Sequence, residues 1–199
     1  MNNYCVDLNL DLPLFNSNLA PVDFLKSKPI WANNVHTNRK LAHHFMLDVA
    51  IDLSKEIHDF FNSFNFRIVV AEVFYTYPNG IGSIHSDLNK SGDYSKINWA
   101  FGGIGSAMNW YSVNDRTVGS INTTTINSYS IHYPVESVEL VHSQAVGCPS
   151  LVQVGCPHHI VNAGEERFCL SIVFHNAISN KRPTMAEALE IFKNYIGRP

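Results

Sequence analysis

The spacing of hydrophobic residues divides the chain into helical and extended parts. Between residues 37 and 64, apolar residues recur at intervals of three and four, which predicts one or two amphipathic helices. Between residues 67 and 174, β-branched and aromatic residues dominate and predict a succession of strands. Thr184 and Glu187 then have the spacing of a capping box, which predicts a final helix over residues 184–196. The apolar positions of the first helical stretch are Leu41, Phe45, Val49, Leu53, Ile57, Phe60, Phe61 and Phe64.

This order of helices, strands and a closing helix predicts an α+β fold with a β-sandwich jelly-roll core. One domain is expected, because 199 residues are enough to bury a substantial core. Within it, residues 1–66 would form an N-terminal extension and helices, residues 67–175 the jelly-roll core, and residues 184–196 the C-terminal helix. Residues 96–103 and 108–111 are predicted to pair as a hairpin.

Two stretches lack a clear periodicity. Residues 1–35 mix short apolar runs with prolines, which predicts irregular or extended structure along the edge of the core. Residues 112–133 are rich in Ser, Thr and Asn, which predicts either a long hairpin or a loop at the mouth of a barrel. Substrate specificity usually lies in such loops, and the sequence therefore does not identify a primary substrate.

Composition narrows the range of partners and compartments. The chain is 45% hydrophobic and 16% charged with a net charge of −3, so no basic surface for nucleic acid or anionic membranes is expected. The N-terminus lacks the features of a secretion signal, and no apolar run approaches the roughly 18 residues of a membrane helix. These observations predict a soluble, cytoplasmic protein. The four cysteines have no zinc-finger spacing, which disfavours a structural zinc site.

The candidate chemistry lies in two short motifs. His85 and Asp87 are two residues apart, so on a strand both side chains point to the same side. Downstream come the pair His158 and His159 and, one strand later, Arg167. Two imidazoles and one carboxylate can occupy one face of an octahedral Fe(II) and leave the opposite face open for a co-substrate and O₂. Because His-x-Asp also occurs by chance, the flanking sequence decides how strongly the motif indicates a metal site.

With these motifs, the chain resembles the Fe(II)/2-oxoglutarate-dependent dioxygenases over residues 67–175, especially the small prolyl-hydroxylase-like members. That family has a double-stranded β-helix with a His-x-Asp/Glu motif, a distal histidine and a basic residue about one strand later. The resemblance implies that Fe(II) binds to His85, Asp87 and His158. It also implies that Arg167 pairs with the far carboxylate of 2-oxoglutarate.

Alternatives remain for two of these assignments. Only one of two successive strand residues can face the barrel interior, so either His158 or His159 is the distal ligand, with His158 preferred. His142 is a third choice. Arg167 could instead be a surface residue paired with a neighbouring glutamate. However, it begins a strongly apolar strand, where an inward-facing arginine needs an anion as its partner.

Further contacts to the co-substrate are predicted from residues near the first motif. Tyr75, Tyr77 and Asn98 are candidates for binding the other oxygens of 2-oxoglutarate, since a buried tyrosine hydroxyl is a usable donor. The chain departs from the family at Cys169. Many members have Arg-x-Ser at this position, so help from a hydroxyl in holding the carboxylate is not expected here.

The resemblance implies hydroxylation of an unactivated C–H bond in a peptidyl side chain or a small metabolite, with 2-oxoglutarate converted to succinate and CO₂. Two other classes remain open. One is a cupin-like metal enzyme that does not use 2-oxoglutarate, because the fold alone does not determine the chemistry. The other is a non-catalytic jelly-roll binding module. Arg167 distinguishes the first class, since such an enzyme has no need for a buried carboxylate anchor.

Overall fold

The computed structural model describes residues 4–29, 43–87, 94–114, 119–123, 129–147 and 149–197. These residues form two six-stranded antiparallel sheets with four short α-helices. The helices are α1 (Pro21–Lys26), α2 (Val49–Asp52), α3 (Lys55–Asn62) and α4 (Met185–Ile191). The strands are β1 (Cys5–Asp7), β2 (His43–Met46), β3 (Phe66–Thr76), β4 (His85–Asp87), β5 (Ser95–Gly102), β6 (Ala107–Val113), β7 (Ser120–Thr123), β8 (Tyr129–His132), β9 (Val138–Ala145), β10 (Ser150–Gln153), β11 (His158–Val161) and β12 (Arg167–Asn176).

The strand order is that of a jelly roll. The major sheet has the order β1-β10-β5-β12-β3-β2, and the minor sheet has the order β7-β8-β4-β11-β6-β9. From β3 onward the chain passes from one sheet to the other at each step, except between β6 and β9, where the β7–β8 hairpin is inserted into the minor sheet. This arrangement is a double-stranded β-helix, and it confirms the α+β fold with a jelly-roll core.

The two faces of the major sheet have different roles. On β12, Phe168, Leu170 and Ile172 belong to the main hydrophobic core, which the helices cover on the outside of the sheet. The alternate residues Arg167 and Cys169 face the minor sheet and line an internal cavity. The outer core is largely aromatic, and burial of its side chains stabilises the fold by about 25 cal/mol for each Å² of apolar surface. Its aromatic members around α3 and α4 include Phe60, Phe61, Phe66, Phe174 and Phe192.

Within residues 43–64 the helical prediction is correct only from residue 49 onward, and residues 37–42 lie outside the described residues. Asp48 and Ser54 accept hydrogen bonds from backbone N–H groups and begin α2 and α3. Residues 43–46, in contrast, form the edge strand β2, in which Phe45 pairs with Val73 of β3. A four-residue stretch with one large buried residue is compatible with the period of a helix and with that of a strand. Here it forms a strand, because it pairs with the long strand β3.

The hairpin predicted from residues 96–103 and 108–111 is wrong. Residues 96–102 belong to β5 and residues 108–111 to β6, and these two strands lie in different sheets. The connecting turn contains Gly103, which has φ of 64°, and a Cβ atom there would lie 2.8 Å from the Cβ of Arg167. A glycine is required by both the backbone conformation and the close approach. The polar stretch 112–133 includes β7 and β8, which pair as an edge hairpin of the minor sheet.

The closing helix begins as the sequence predicts. Thr184 is the N-cap of α4, and both halves of its capping box with Glu187 are formed. The α-helix ends at Ile191 and is followed by a 3₁₀ turn at Lys193–Tyr195, so it is shorter than predicted. Among the described residues, no helix has the length and apolar character needed to cross a membrane. Cys148 lies outside the described residues.

Asn162, which follows β11, ties the segment before β12 to its neighbours. Its amide nitrogen donates to the carbonyls of Tyr77 and Glu165, each at 2.6 Å, and its Oδ1 accepts from the Ser106 hydroxyl at 2.6 Å. Asn162→Ala would remove these three hydrogen bonds and take away the acceptor of the buried Ser106 hydroxyl, so we expect a loss of about 3 kcal/mol in the free energy of unfolding. Urea denaturation measures this loss. The exposed Asn62→Ala is the control, and a difference between the two below about 1 kcal/mol would contradict the prediction.

Candidate metal centre

Two paired strands of the minor sheet bring His85, Asp87 and His158 together. His85 and His158 are directly opposite each other in the β4–β11 pair, and their ring centroids are 4.7 Å apart. Asp87 lies two residues along β4, and its Oδ1 is 3.6 Å from His85 Nε2. One potential ligand atom from each of the three residues lies within 4.8 Å of the others. The described residues thus contain a candidate metal site of two histidines and one carboxylate.

Backbone carbonyls orient both imidazoles. The Nδ1 atom of His85 is 2.9 Å from the carbonyl of Ser83, and that of His158 is 2.9 Å from the carbonyl of Cys156. Because a carbonyl only accepts, each Nδ1 carries the proton, and the lone pair of each Nε2 is left for a metal. Burial, together with the nearby His85, lowers the pKa of His158 to about 3 and keeps this imidazole neutral. A neutral imidazole is the form that binds metals.

The third ligand is held by a buried ammonium group. Asp87 Oδ2 is 2.6 Å from Nζ of Lys96 on β5, and the same Nζ is 3.0 Å from Oε2 of Glu72 on β3. Burial alone would raise the pKa of Asp87, but Lys96 and then the two histidines outweigh it and hold the pKa well below its usual range. Asp87 is therefore ionised and able to bind a cation. Burial opposes the charge on Lys96 as well, yet the two carboxylates raise its pKa.

The three residues open onto a cavity between the two sheets with a volume of about 100 Å³. Arg167 lines the same cavity and is only 2% exposed. Its Nε atom has no hydrogen-bond partner among the residues that the structure describes. A buried guanidinium with an unsatisfied donor is costly unless an anion binds to it. The cavity is lined by Phe74, Thr76, Gly82, His85, Asp87, Lys96, Asn98, Met108, Val154, His158, His159, Ile160, Arg167, Cys169 and Ser171.

Of the three further residues predicted to contact a co-substrate, the structure places one at the cavity. Asn98 lines it, and the buried Oδ1 of Asn98 has no partner within the described part of the chain. Tyr75 lies on the other face of β3 and belongs to the outer core, and Tyr77, the residue after β3, packs against the same core. The Tyr75 hydroxyl donates to Glu166 at 3.2 Å. The prediction that the two tyrosines face the cavity is therefore wrong. Residues 74 and 76, which alternate with them, are the ones that face inward.

The two alternative histidine ligands have other contacts. His159 Nε2 accepts from the Tyr111 hydroxyl at 3.1 Å and lies 3.3 Å from the Asn109 amide nitrogen, so its lone pair is already used. His142 stacks on Tyr4 with centroids 5.5 Å apart. Its strand β9 is separated from β11 by β6. Neither histidine belongs to the group of potential ligands found among the described residues.

Sequence reasoning missed two charged residues of the centre, Lys96 and Glu72. Glu72 lies between apolar residues in the middle of β3, and Lys96 is the one charged residue of β5. A charged residue in such a strand needs a partner of opposite charge if it is buried. That signal was available from the sequence. A third residue, His132 of β8, pairs opposite His85 with ring centroids 5.6 Å apart. It could not be placed, because the hairpin that contains it has no distinct pattern.

A wider depression of about 360 Å³ lies outside the major sheet. It is lined by side chains such as Phe101, Phe168 and Val22, and one of its two acidic residues, Glu166, is already paired with Lys26 at 2.6 Å. The metal-ligand group lies in the internal cavity instead. The smaller internal cavity is therefore the better candidate for a functional site.

Comparison with known proteins adds little to this geometry. No protein-family model and no curated protein matches the chain. Among solved structures, an oxalate oxidase in complex with glycolate is 15% identical over 90% of this chain and 77% of its own, with a TM-score of 0.37. Peruvianin-I, a cysteine peptidase from Thevetia peruviana latex, is 13% identical over 88% of this chain and 94% of its own, with a TM-score of 0.36. At such TM-scores the likeness does not bear on chemistry, and the jelly roll is assigned from the strand order.

Proposed function

We propose that the protein is an Fe(II)- and 2-oxoglutarate-dependent oxygenase. The observation that supports this most directly is the buried Arg167, whose Nε lacks a partner among the described residues and which lines the same cavity as the candidate metal ligands. A guanidinium fork is well suited to bind a carboxylate through two hydrogen bonds. A metal site and a carboxylate anchor in one cavity are the two elements that a keto-acid co-substrate requires.

The donor set fits Fe(II). His85, His158 and Asp87 offer two imidazole nitrogens and one carboxylate oxygen, and this combination leaves coordination positions open on Fe(II). Arg167 would bind the far carboxylate of 2-oxoglutarate, and Asn98 would offer its amide group nearby. When bound, Fe(II), O₂ and 2-oxoglutarate supply an oxidative decarboxylation to succinate and CO₂ that is coupled to hydroxylation of a C–H bond.

The chain itself contributes orientation and exclusion of water. Bonds from Nδ1 to backbone carbonyls fix both imidazoles. The apolar side chains of Phe74, Met108 and Val154 line the cavity, which strengthens the charge interactions of Arg167 and Asp87 inside it. The primary substrate in this proposal is a peptidyl side chain or a small metabolite that reaches the cavity from its open side.

The test is formation of succinate from 2-oxoglutarate by protein purified without oxygen and supplied with Fe(II), screened against pools of peptides and metabolites. We expect succinate that depends on Fe(II) and that is lost in Asp87→Ala. A metal-loaded protein that fails to bind 2-oxoglutarate would support the cupin-like alternative. A protein that binds no divalent metal would support the non-catalytic binding module.

A further inference from the structure

Lys96 has an unusual position for a lysine, because it is buried in the middle of a sheet and contacts a candidate metal ligand. It is 6% exposed, and its Nζ lies between the carboxylates of Asp87 and Glu72. Buried ion pairs often contribute little net stability, because the loss of hydration offsets the attraction. Stability alone is therefore a weak explanation for a cation placed beside a site that would bind a second cation.

The contact geometry indicates what Lys96 does. It occupies Oδ2 of Asp87 at 2.6 Å, whereas Oδ1 of the same carboxylate faces His85 Nε2 at 3.6 Å. One oxygen is thus bound by Lys96, and the other is directed toward His85. A carboxylate bound in this way can offer a single oxygen to a metal.

The same ammonium also separates a second carboxylate from the site. Glu72 Oε2 is 3.0 Å from Lys96 Nζ, so Glu72 and Asp87 share one cation between them. Without that cation, Glu72 would be a buried carboxylate close to a divalent metal, and such a group is an effective additional ligand. An additional oxygen from Asp87 or Glu72 would fill a position that a chelating co-substrate needs.

We propose that Lys96 is a positioning residue that keeps the metal site at three protein ligands. It makes Asp87 a ligand through one oxygen and keeps Glu72 out of the coordination sphere. This inference rests on the proposed function, since it concerns the metal site of that function. Lys96 weakens metal binding in this arrangement, because its positive charge lies near the ion. It also keeps coordination positions of the metal open for the co-substrate.

The experiment compares Glu72→Gln with the double variant Lys96→Met/Glu72→Gln. The two differ only at position 96, and neither leaves Glu72 as a buried carboxylate without a partner, which Lys96→Met alone would do. Circular dichroism and urea unfolding establish that both are folded. Mn(II) is the probe, its affinity is measured by calorimetric titration, and water-proton relaxation reports how many exchangeable waters the bound ion keeps.

We expect the double variant to bind Mn(II) more than threefold more tightly than Glu72→Gln, since a neighbouring positive charge is gone. We also expect about one of roughly three exchangeable waters to be lost, because Asp87 can then bind through both oxygens. An affinity that is equal or lower, or an unchanged number of waters, would overturn the role of Lys96. If the wild-type protein binds no Mn(II), the proposed function fails together with this inference, whereas wild-type binding with no difference between the variants overturns this inference alone.

Discussion

His158→Ala is expected to abolish measurable divalent metal binding, whereas His159→Ala is expected to leave it within about threefold of wild type. The two residues are neighbours on β11, but only His158 has its imidazole beside His85 and Asp87. Loss of a direct ligand should cost more than the roughly 10–100-fold that loss of an outer partner of a ligand typically costs. Titration with Mn(II) or with Fe(II) under anaerobic conditions measures both affinities.

His159→Ala is a demanding control, because its side chain is also buried and hydrogen bonded. Removing it leaves the Tyr111 hydroxyl and the Asn109 amide without their shared acceptor, so we expect a loss of about 1–3 kcal/mol in the free energy of unfolding. His158→Ala and His159→Ala should therefore differ in metal affinity even if both lose stability. Equal metal affinity in the two variants, or the reverse order, would show that the ligand at this end of the site is not His158.

The candidate metal ligands could be predicted from the sequence where the alternation of side chains along a strand allows only one arrangement. His85 and Asp87 are separated by one residue, so any strand places them on the same side. In the strand that begins with Arg167, the arginine is the one charged residue, and a buried charge needs a partner. This predicts that an inward-facing Arg167 binds an anion. The jelly roll was predicted from the order of the helices and strands together with the resemblance, since many β-folds share the same succession of strands and periodicity alone does not distinguish them.

Alternation failed on β3, where Tyr75 and Tyr77 were predicted to face the co-substrate. In its second half, residues 71–76, both faces of this strand are largely buried, one by the outer core and the other by the internal cavity. Apolar side chains therefore occur on both sides there, and periodicity does not set the direction. The position of Glu72 would have shown which face of β3 points inward. A buried carboxylate must face a buried cation, and Lys96 on β5 is the cation that it pairs with.

The position of β2 and the route from β5 to β6 depend on contacts that are distant in the sequence. Phe45 fits a helical stripe as well as it fits an edge strand, and pairing with Val73 decides between them. The segment around Gly103 has the composition of a hairpin turn, but the chain crosses there to the other sheet, and its backbone passes close to Arg167. Such crossings are set by the packing of whole sheets and are not visible in a local pattern.

Arg167→Ala is expected to raise the KM for 2-oxoglutarate by roughly 30-fold to several thousand-fold while leaving metal affinity nearly unchanged. Truncating one partner of a buried, charge-assisted pair costs about 2–5 kcal/mol. Arg167→Lys should fall between wild type and Arg167→Ala, because an ammonium keeps the charge but loses the planar fork. Cys169, the next inward-facing residue of β12, is only a weak donor and should not compensate for the loss.

Arg67→Ala is the matched control, since Arg67 is an exposed arginine on the neighbouring strand β3 and pairs with Asn180. Steady-state kinetics with varied 2-oxoglutarate measures KM, and Mn(II) titration verifies that the metal site is intact. Because His85, Asp87 and His158 bind the metal without help from Arg167, a large change in metal affinity would indicate a disturbed fold instead of a lost anchor. If Arg167→Ala changed KM by less than about threefold, or roughly 0.7 kcal/mol, the co-substrate would not be a keto acid anchored by its far carboxylate at Arg167.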